Sequence, residues 1–465
     1  MTHEFDSGSF RDRTSRVFHR AGGVYRALNA DALSQWQAVA DSPFFDQLAR
    51  RGLVIPTEQV TLDEPPPEGG EPWAGVLKHR RIPFVSYPYE WTFGMLQDAA
   101  LLQLELLSAA LDEGFTLKDA TPYNVQWLGS RPVFIDVASF TQLEPGTPWT
   151  GYRQFCELQL YPLLLQAYKG LDFQPWLRGS IDGISPAQCD RLMSARDRLR
   201  PGVLRHVYLH ARLQGGGKSD QQDVRRELRD AGFSKELIKA NVRGLRKLIE
   251  RLKWNPGRSQ WSTYSADDSY ERADAQAKRR FVERALTRRR WDLVWDVGCN
   301  TGDFARLAAE QGGYVVAMDS DHLAVEQLYQ SLKSEGEERI LPLCVNVADP
   351  SPNLGWRGQE RRALPARGTP SLTMCLALVH HLSISANLPL ADIVEWLASL
   401  DSAVIVEFVT KDDPQTQSLL RNKDDIYADY TREHFEQLLG RAFEIVDRIE
   451  MAGGRRILYL AELRR

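Results

Sequence analysis

From residue 292 onward the chain alternates short apolar runs with stretches long enough for a returning helix, and this rhythm limits the fold more than any other feature. The runs are 292–297 (DLVWDV), 314–318 (YVVAM), 340–345 (ILPLCV), 371–378 (SLTMCLAL) and 403–409 (AVIVEFV). Strands this apolar are buried on both faces, and strands joined through a helix lie parallel in one sheet. Then the rhythm breaks. Segments 443–450 (FEIVDRIE) and 455–462 (RRILYLAE) are separated only by a short stretch holding Gly453 and Gly454, which predicts an antiparallel hairpin at the sheet edge. The expected fold class is therefore α/β, with a sheet of seven strands: five parallel plus the terminal hairpin.

A chain of 465 residues has length for about three domains. Its 58 Lys and Arg against 62 Asp and Glu give a net charge of −4, and 43% of residues are hydrophobic. These values exclude a disordered chain, a collagen-like repeat and a strongly basic nucleic-acid binder, so nucleic acid is not an expected partner. No run approaches the ~18 apolar residues of a membrane span, and the start (MTHEFD) has neither a basic nor an apolar leader region. A cytoplasmic protein without a membrane partner is expected. Five cysteines, 156, 189, 299, 344 and 375, lie far apart with no CxxC pair, which supports neither a disulfide framework nor a cysteine zinc site. Two breaks, 62–72 (LDEPPPEGGEP) and 213–219 (LQGGGKS), punctuate the first half. The organisation read from these signals is an α+β domain over 1–205, a helical connector over 206–260 and the α/β domain over 261–465.

The first strand of that last domain runs into Asp296-Val-Gly298-Cys-Asn300-Thr-Gly302, followed by a helical pattern. Gly298 and Gly302 permit backbone conformations and a close ligand approach that a Cβ obstructs. Asp319 ends the second strand, where a carboxylate can accept two ribose hydroxyls. On these residues the segment from about 260 to the last residue resembles the class I S-adenosylmethionine-dependent methyltransferases, whose sheet is Rossmann-like. Asn300 stands where their central glycine is usual, and a dinucleotide Gly-x-Gly-x-x-Gly is absent. The resemblance implies S-adenosyl-L-methionine as cofactor, with Asp296, Gly298, Asn300 and Gly302 around its methionine part and Asp319 on its ribose. It places Asn346 or Asp349, after strand three, on the adenine amino group. Tyr264, with Trp261 and Tyr270, either lines the cofactor and acceptor or packs under the sheet.

His380 and His381 follow strand four, and Glu407 ends strand five, at the sheet edge where open α/β sheets bind ligands. Methyl transfer to a hydroxyl releases a proton that an imidazole can take. Either histidine is a candidate general base, with Glu407 orienting it. A divalent metal on the same three residues is the alternative, opposed by the tendency of adjacent strand residues to point apart. The expected enzyme is a methyltransferase acting on a small-molecule or saccharide acceptor, hydroxyl favoured. The basic run from Lys278 to Arg290 reads as a solvated helix face or as an attractor for a phosphorylated or nucleic-acid substrate, the latter disfavoured by the net charge of −4.

In the first domain, residues 117–140 (LKDATPYNVQWLGSRPVFIDVASF) space Asp119, Asn124 and Asp136 as five and then twelve residues apart. This resembles the catalytic core of the protein-kinase-like and aminoglycoside-phosphotransferase-like fold, in which the residues in the places of Asn124 and Asp136 hold Mg²⁺ and the one in the place of Asp119 receives the acceptor proton. Mg²⁺ and ATP are implied there by that resemblance, and Arg26 lies where a strand lysine is expected. A glycine-rich phosphate loop is absent, and Asp136 is followed by Val-Ala-Ser rather than Phe-Gly. The alternative function is thus a bifunctional protein or scaffold whose first domain binds nucleotide or acceptor.

Overall fold

A computed structural model describes residues 4–68, 72–215, 235–257, 269–421 and 423–464. The chain divides into two compact units. The first comprises Met1–Trp127, Pro132–Pro256 and Asn353–Arg361; the second comprises Leu128–Arg131, Gly257–Pro352 and Arg362–Arg465.

The first unit opens with a four-stranded antiparallel sheet of β1 (Ser15–Arg20), β2 (Gly23–Leu28), β3 (Thr57–Val60) and β4 (Gly75–His79), in the order β1-β2-β4-β3. Ala21 and Gly22 both take left-handed φ, +46° and +78°, which matches the twist of a two-residue hairpin. Helices Ala30–Ala40 and Pro43–Arg50 intervene between β2 and β3, the first capped by the Asn29 side chain. Helix Phe93–Asp112 buries Leu96, Ala100, Leu104, Leu107 and Leu111 completely, the three-and-four spacing of a core-facing stripe. Two short pairs follow: β5 (Phe115–Leu117) with β8 (Phe140–Gln142), and β6 (Val125–Leu128) with β7 (Arg131–Phe134). Helix Lys235–Arg251, read from sequence as part of a connector, packs within this unit. Gln97 donates to the carbonyls of Ile249 and Leu252 at 2.7 and 3.1 Å. Gly216 and Gly217 of the triple glycine, and the start of the charged stretch after it, lie outside the described residues.

The second unit is built on β9 (Leu293–Val297), β10 (Tyr314–Asp319), β11 (Ile340–Cys344), β12 (Leu372–Cys375), β13 (Ala403–Val409), β14 (Phe443–Met451) and β15 (Arg456–Leu463). Their order is β11-β10-β9-β12-β13-β15-β14. The first five are parallel, and β15 runs antiparallel to both β13 and β14. Every residue of β13 is buried, as a strand covered on both faces requires. Alternate residues feed two cores: Val404, Val406 and Phe408 join helices Leu390–Ser399 and Arg432–Ala442. Ile405, Leu458 and Leu460 join helices Ser269–Thr287, Asp303–Glu310 and His322–Glu335. The strand order reverses between β9 and β12, which opens a crevice at their carboxyl ends. Among the described residues, no helix is long and apolar enough to cross a membrane.

One element departs from the sequence reading. Strand four was expected over 371–378, but β12 stops at Cys375 and the chain turns at Ala377, whose φ is +51°. Apolarity continues through the turn because Leu376 and Val379 are buried there too. His380 and His381 consequently sit on a helical turn rather than on a strand.

Candidate active site

The loop after β9 sets the shape of the site. Gly298, Asn300 and Gly302 have left-handed φ of +79°, +49° and +85°. A Cβ at 302 would lie 2.6 Å from Leu328 Cδ1, whereas at 298 the nearest atom would be 3.4 Å away. Glycine at 302 thus answers both backbone and packing, and at 298 the backbone alone. Asn300 fills the middle left-handed position, which asparagine adopts more readily than most side chains. The N–H groups of Gly298 and Cys299 donate to the Met318 carbonyl at 2.8 and 3.0 Å. Those of Asn300 and Asp321 donate to Asp319 Oδ2 and Oδ1, each at 2.9 Å. The loop is thereby fastened to the end of β10, and each Asp319 oxygen keeps accepting capacity for one more donor.

Asp296 is 2% exposed. Its carboxyl takes the N–H of Ala305 in the first turn of helix Asp303–Glu310, while Oδ2 has no hydrogen-bond partner. Burial, then the charge of Asp319, pushes its pKa up to about 7, with the Lys278 ammonium opposing. Burial also raises Asp319, against the backbone N–H groups of Asp321 and Asn300. Asn346 and Asp349 lie in the exposed turn after β11. The Asn346 side chain accepts from the Ala348 N–H at 3.0 Å, an Asx turn. Tyr264 lies outside the described residues.

The two histidine rings lie side by side, centres 4.2 Å apart and planes tilted by 42°, so the objection that they point to opposite faces of a strand falls. His380 is fully buried, with no hydrogen-bond partner on either ring nitrogen. Burial, then the neighbouring His381, Arg456 and Lys278, lowers its pKa to about 2. His381 is half-buried and is also lowered by burial. Glu407 does not orient either histidine. Its Oε2 takes the Lys278 ammonium at 2.6 Å, and Arg456 lies 3.6 Å from Oε1. Arg456 in turn grips Asp413 with two hydrogen bonds of 2.8 and 3.1 Å. The physical reason is charge: a carboxylate buried to 0% exposure selects cations over neutral imidazoles. No group of three or more His, Cys, Asp or Glu with metal-binding geometry occurs among the described residues.

Lys278 and Arg456 are site residues that the sequence reading did not single out. Lys278 had been grouped with a basic run, most of which is exposed. A signal was present: Lys278 precedes the buried Phe281 and Val282 by three and four residues, which places it on the inward face of its helix.

The first unit holds a separate polar cluster. Asn124 donates to Asp136 Oδ2 at 3.3 Å, and Arg26 on β2 pairs with Asp136 Oδ1 at 3.0 Å. Arg26 also donates to Ser15 Oγ at 3.0 Å. Lys118 pairs with Asp12 at 3.3 Å. Burial, then the Asp136 charge, raises the pKa of Asp119. Asp136 therefore already faces a fixed cation, the Arg26 guanidinium.

No family model matches the chain. The nodulation protein NoeA of Rhizobium meliloti (strain 1021) is 32% identical over 462 residues, covering 98% of this chain and 95% of that protein. Among solved structures, the N-methyltransferase NodS from Bradyrhizobium japonicum WM9 in complex with S-adenosyl-l-homocysteine is 10% identical. It covers 44% of this chain and 94% of its own, with a TM-score of 0.32. The PH0226 protein from Pyrococcus horikoshii OT3 is 14% identical over 45% of this chain and 100% of its own, with a TM-score of 0.31. The bifunctional kinase-methyltransferase WbdD is 18% identical over 44% of this chain and 42% of its own, also with a TM-score of 0.31.

Proposed function

The chain belongs to the family of the nodulation protein NoeA, and on that footing we propose that it is an S-adenosylmethionine-dependent methyltransferase acting on a small-molecule or saccharide acceptor, with a hydroxyl as the favoured group. The observation that carries this reading is the loop Gly298–Gly302, held in three left-handed conformations between Asp296 and Asp319 at the strand-order reversal. The residues fit the cofactor. Asp296 offers an unpartnered buried oxygen to a cationic group, and Asp319 offers two oxygens to a ribose. Gly298 leaves room for close approach, and Asn346 or Asp349, in the exposed turn after β11, would take the adenine amino group. S-adenosylmethionine supplies an electrophilic methyl group.

The chain's own residues then handle the acceptor proton. His381 is half-buried and neutral, so it suits the role of general base, since a base must be unprotonated and reachable. His380 stays neutral behind it, and the Lys278–Glu407–Arg456 network fixes the charge beside it. Calorimetric titration with S-adenosylhomocysteine tests the reading. Wild type is expected to bind at micromolar concentration, and Asp319→Ala to bind more weakly by ~1–3 kcal/mol, the cost of losing charge-assisted hydrogen bonds. A folded wild type that binds none would overturn it.

A second reading concerns the first unit and is favoured by the meeting of Asn124, Asp136 and Arg26 near Asp119. In it the unit is a kinase-like domain that binds nucleotide or acceptor. Saturable Mg²⁺–ATP binding that Asp136→Ala abolishes supports this reading; the absence of nucleotide binding removes it.

A further inference from the structure

Segment Asn353–Arg361 belongs to the first unit, although β11 and β12 flank it in sequence. It forms a small loop closed by Leu354 and Arg361, whose backbones exchange hydrogen bonds of 2.8 and 3.0 Å. Gly355, Arg357 and Gly358 take left-handed φ of +82°, +57° and +62°. Glu360 is committed inside the loop: it accepts from Arg11 at 2.5 and 3.0 Å and from the Trp356 N–H at 3.1 Å.

Arg361 beside it is 6% exposed, and neither Nε nor Nη1 has a hydrogen-bond partner. Its charge lies 3.9 Å from Glu360, too far for a hydrogen bond. The guanidinium sits 5.6 Å from the ring centre of Tyr123, whose hydroxyl is also buried without a hydrogen-bond partner. Tyr123 lies on the short turn Pro122–Asn124, between Asp119 and Asn124 in sequence.

Burying a guanidinium with unmet N–H groups is costly unless an acceptor arrives. Nε and Nη1 carry three such N–H bonds, and the phenol adds one O–H. Three unmet N–H groups on one positive charge, with a further buried O–H on the adjacent ring, call for a compact anion with several acceptor oxygens, the geometry that arginine recognises best. We propose that Arg361 and Tyr123 form a seat in the first unit for an oxyanion, the phosphate or carboxylate group of a ligand. The seat is independent of the methyl-transfer reading, because every residue in it belongs to the other unit.

The test is calorimetric titration of the full chain with inorganic phosphate and, separately, acetate, in chloride buffer at constant ionic strength. Wild type is compared with Arg361→Gln and Tyr123→Phe. Saturable binding by wild type is expected, weakened about tenfold or more by Arg361→Gln and about threefold by Tyr123→Phe, in keeping with the greater strength of charge-assisted bonds. S-adenosylhomocysteine binding, measured in parallel, is expected to be the same in all three. Tighter binding of phosphate assigns a phosphoryl group, and tighter binding of acetate a carboxylate. Failure of wild type to saturate with either anion overturns the proposal, as does unchanged binding in both variants. If Arg361→Gln does not fold, Tyr123→Phe decides alone, since it removes one oxygen and nothing else.

Discussion

Asn300 shows how a site residue can be legible while its reason is not. Sequence marks position 300 as the departure from a three-glycine loop, and only the φ of +49° explains why asparagine serves there. Asp296 carries the sharper consequence. Unfolded, an aspartate releases its proton near pH 4; folded here, it holds the proton up to about 7. Between those values the folded state binds the extra proton, so this group's contribution to stability is full below about pH 4 and is lost as pH rises through 7. Asp296→Asn keeps the position uncharged. In cofactor-free protein the variant is expected to gain about 2–3 kcal/mol on wild type between pH 5 and pH 8, read from denaturant unfolding at the two pH values. A pH-independent difference would contradict the assignment.

At the scale of elements, all seven strands of the second unit were legible, five as apolar runs buried on both faces and joined by helical stretches, and two by the Gly453-Gly454 turn between them. The end of β12 was not, since the turn after Cys375 is as apolar as the strand before it. The partners of Glu407 were not legible either. Lys278 is 129 residues away on helix Ser269–Thr287, and sequence does not reveal which charges are drawn inward. That pairing is testable. Lys278→Met leaves Glu407 in the core with only Arg456 at 3.6 Å, and a loss of about 2–4 kcal/mol is expected, below the full cost of an orphaned buried charge. Adding Glu407→Leu is expected to restore part of that loss. Chemical unfolding of the single and double variants checks both expectations; a double variant weaker than Lys278→Met would show that the network itself supplies the stability.

At the scale of the whole molecule, three histidines among the described residues are buried in the neutral form. Burial lowers His79 to about 3, with Arg26 adding to it; it lowers His206 to about 4 and His380 to about 2. Unfolded, each takes up a proton as pH falls below about 6.5. Their contribution to stability is therefore present above that value and is lost as pH falls toward the folded values, while Asp296 acts in the opposite direction between 4 and 7. His380→Gln removes one of the three. Its melting temperature relative to wild type is expected to move in the variant's favour as pH is lowered from 7 to 5, at constant ionic strength. A constant difference across that range would mean that His380 titrates in the fold as it does unfolded, and a drift in wild type's favour that it is already protonated there.

The partition of the chain bears on how it can be cut. Residues 353–361 serve the first unit, and residues 128–131 serve the second, so each unit borrows a piece from the other's stretch of sequence. A gene fragment ending at 256 would deliver the first unit without Arg361, and one beginning at 257 would deliver the second without its four-residue loan. A cut between 256 and 257 separates both pieces from the units they serve. Each such fragment is expected to be less stable than the same unit within the full chain, because it lacks a piece that the unit includes.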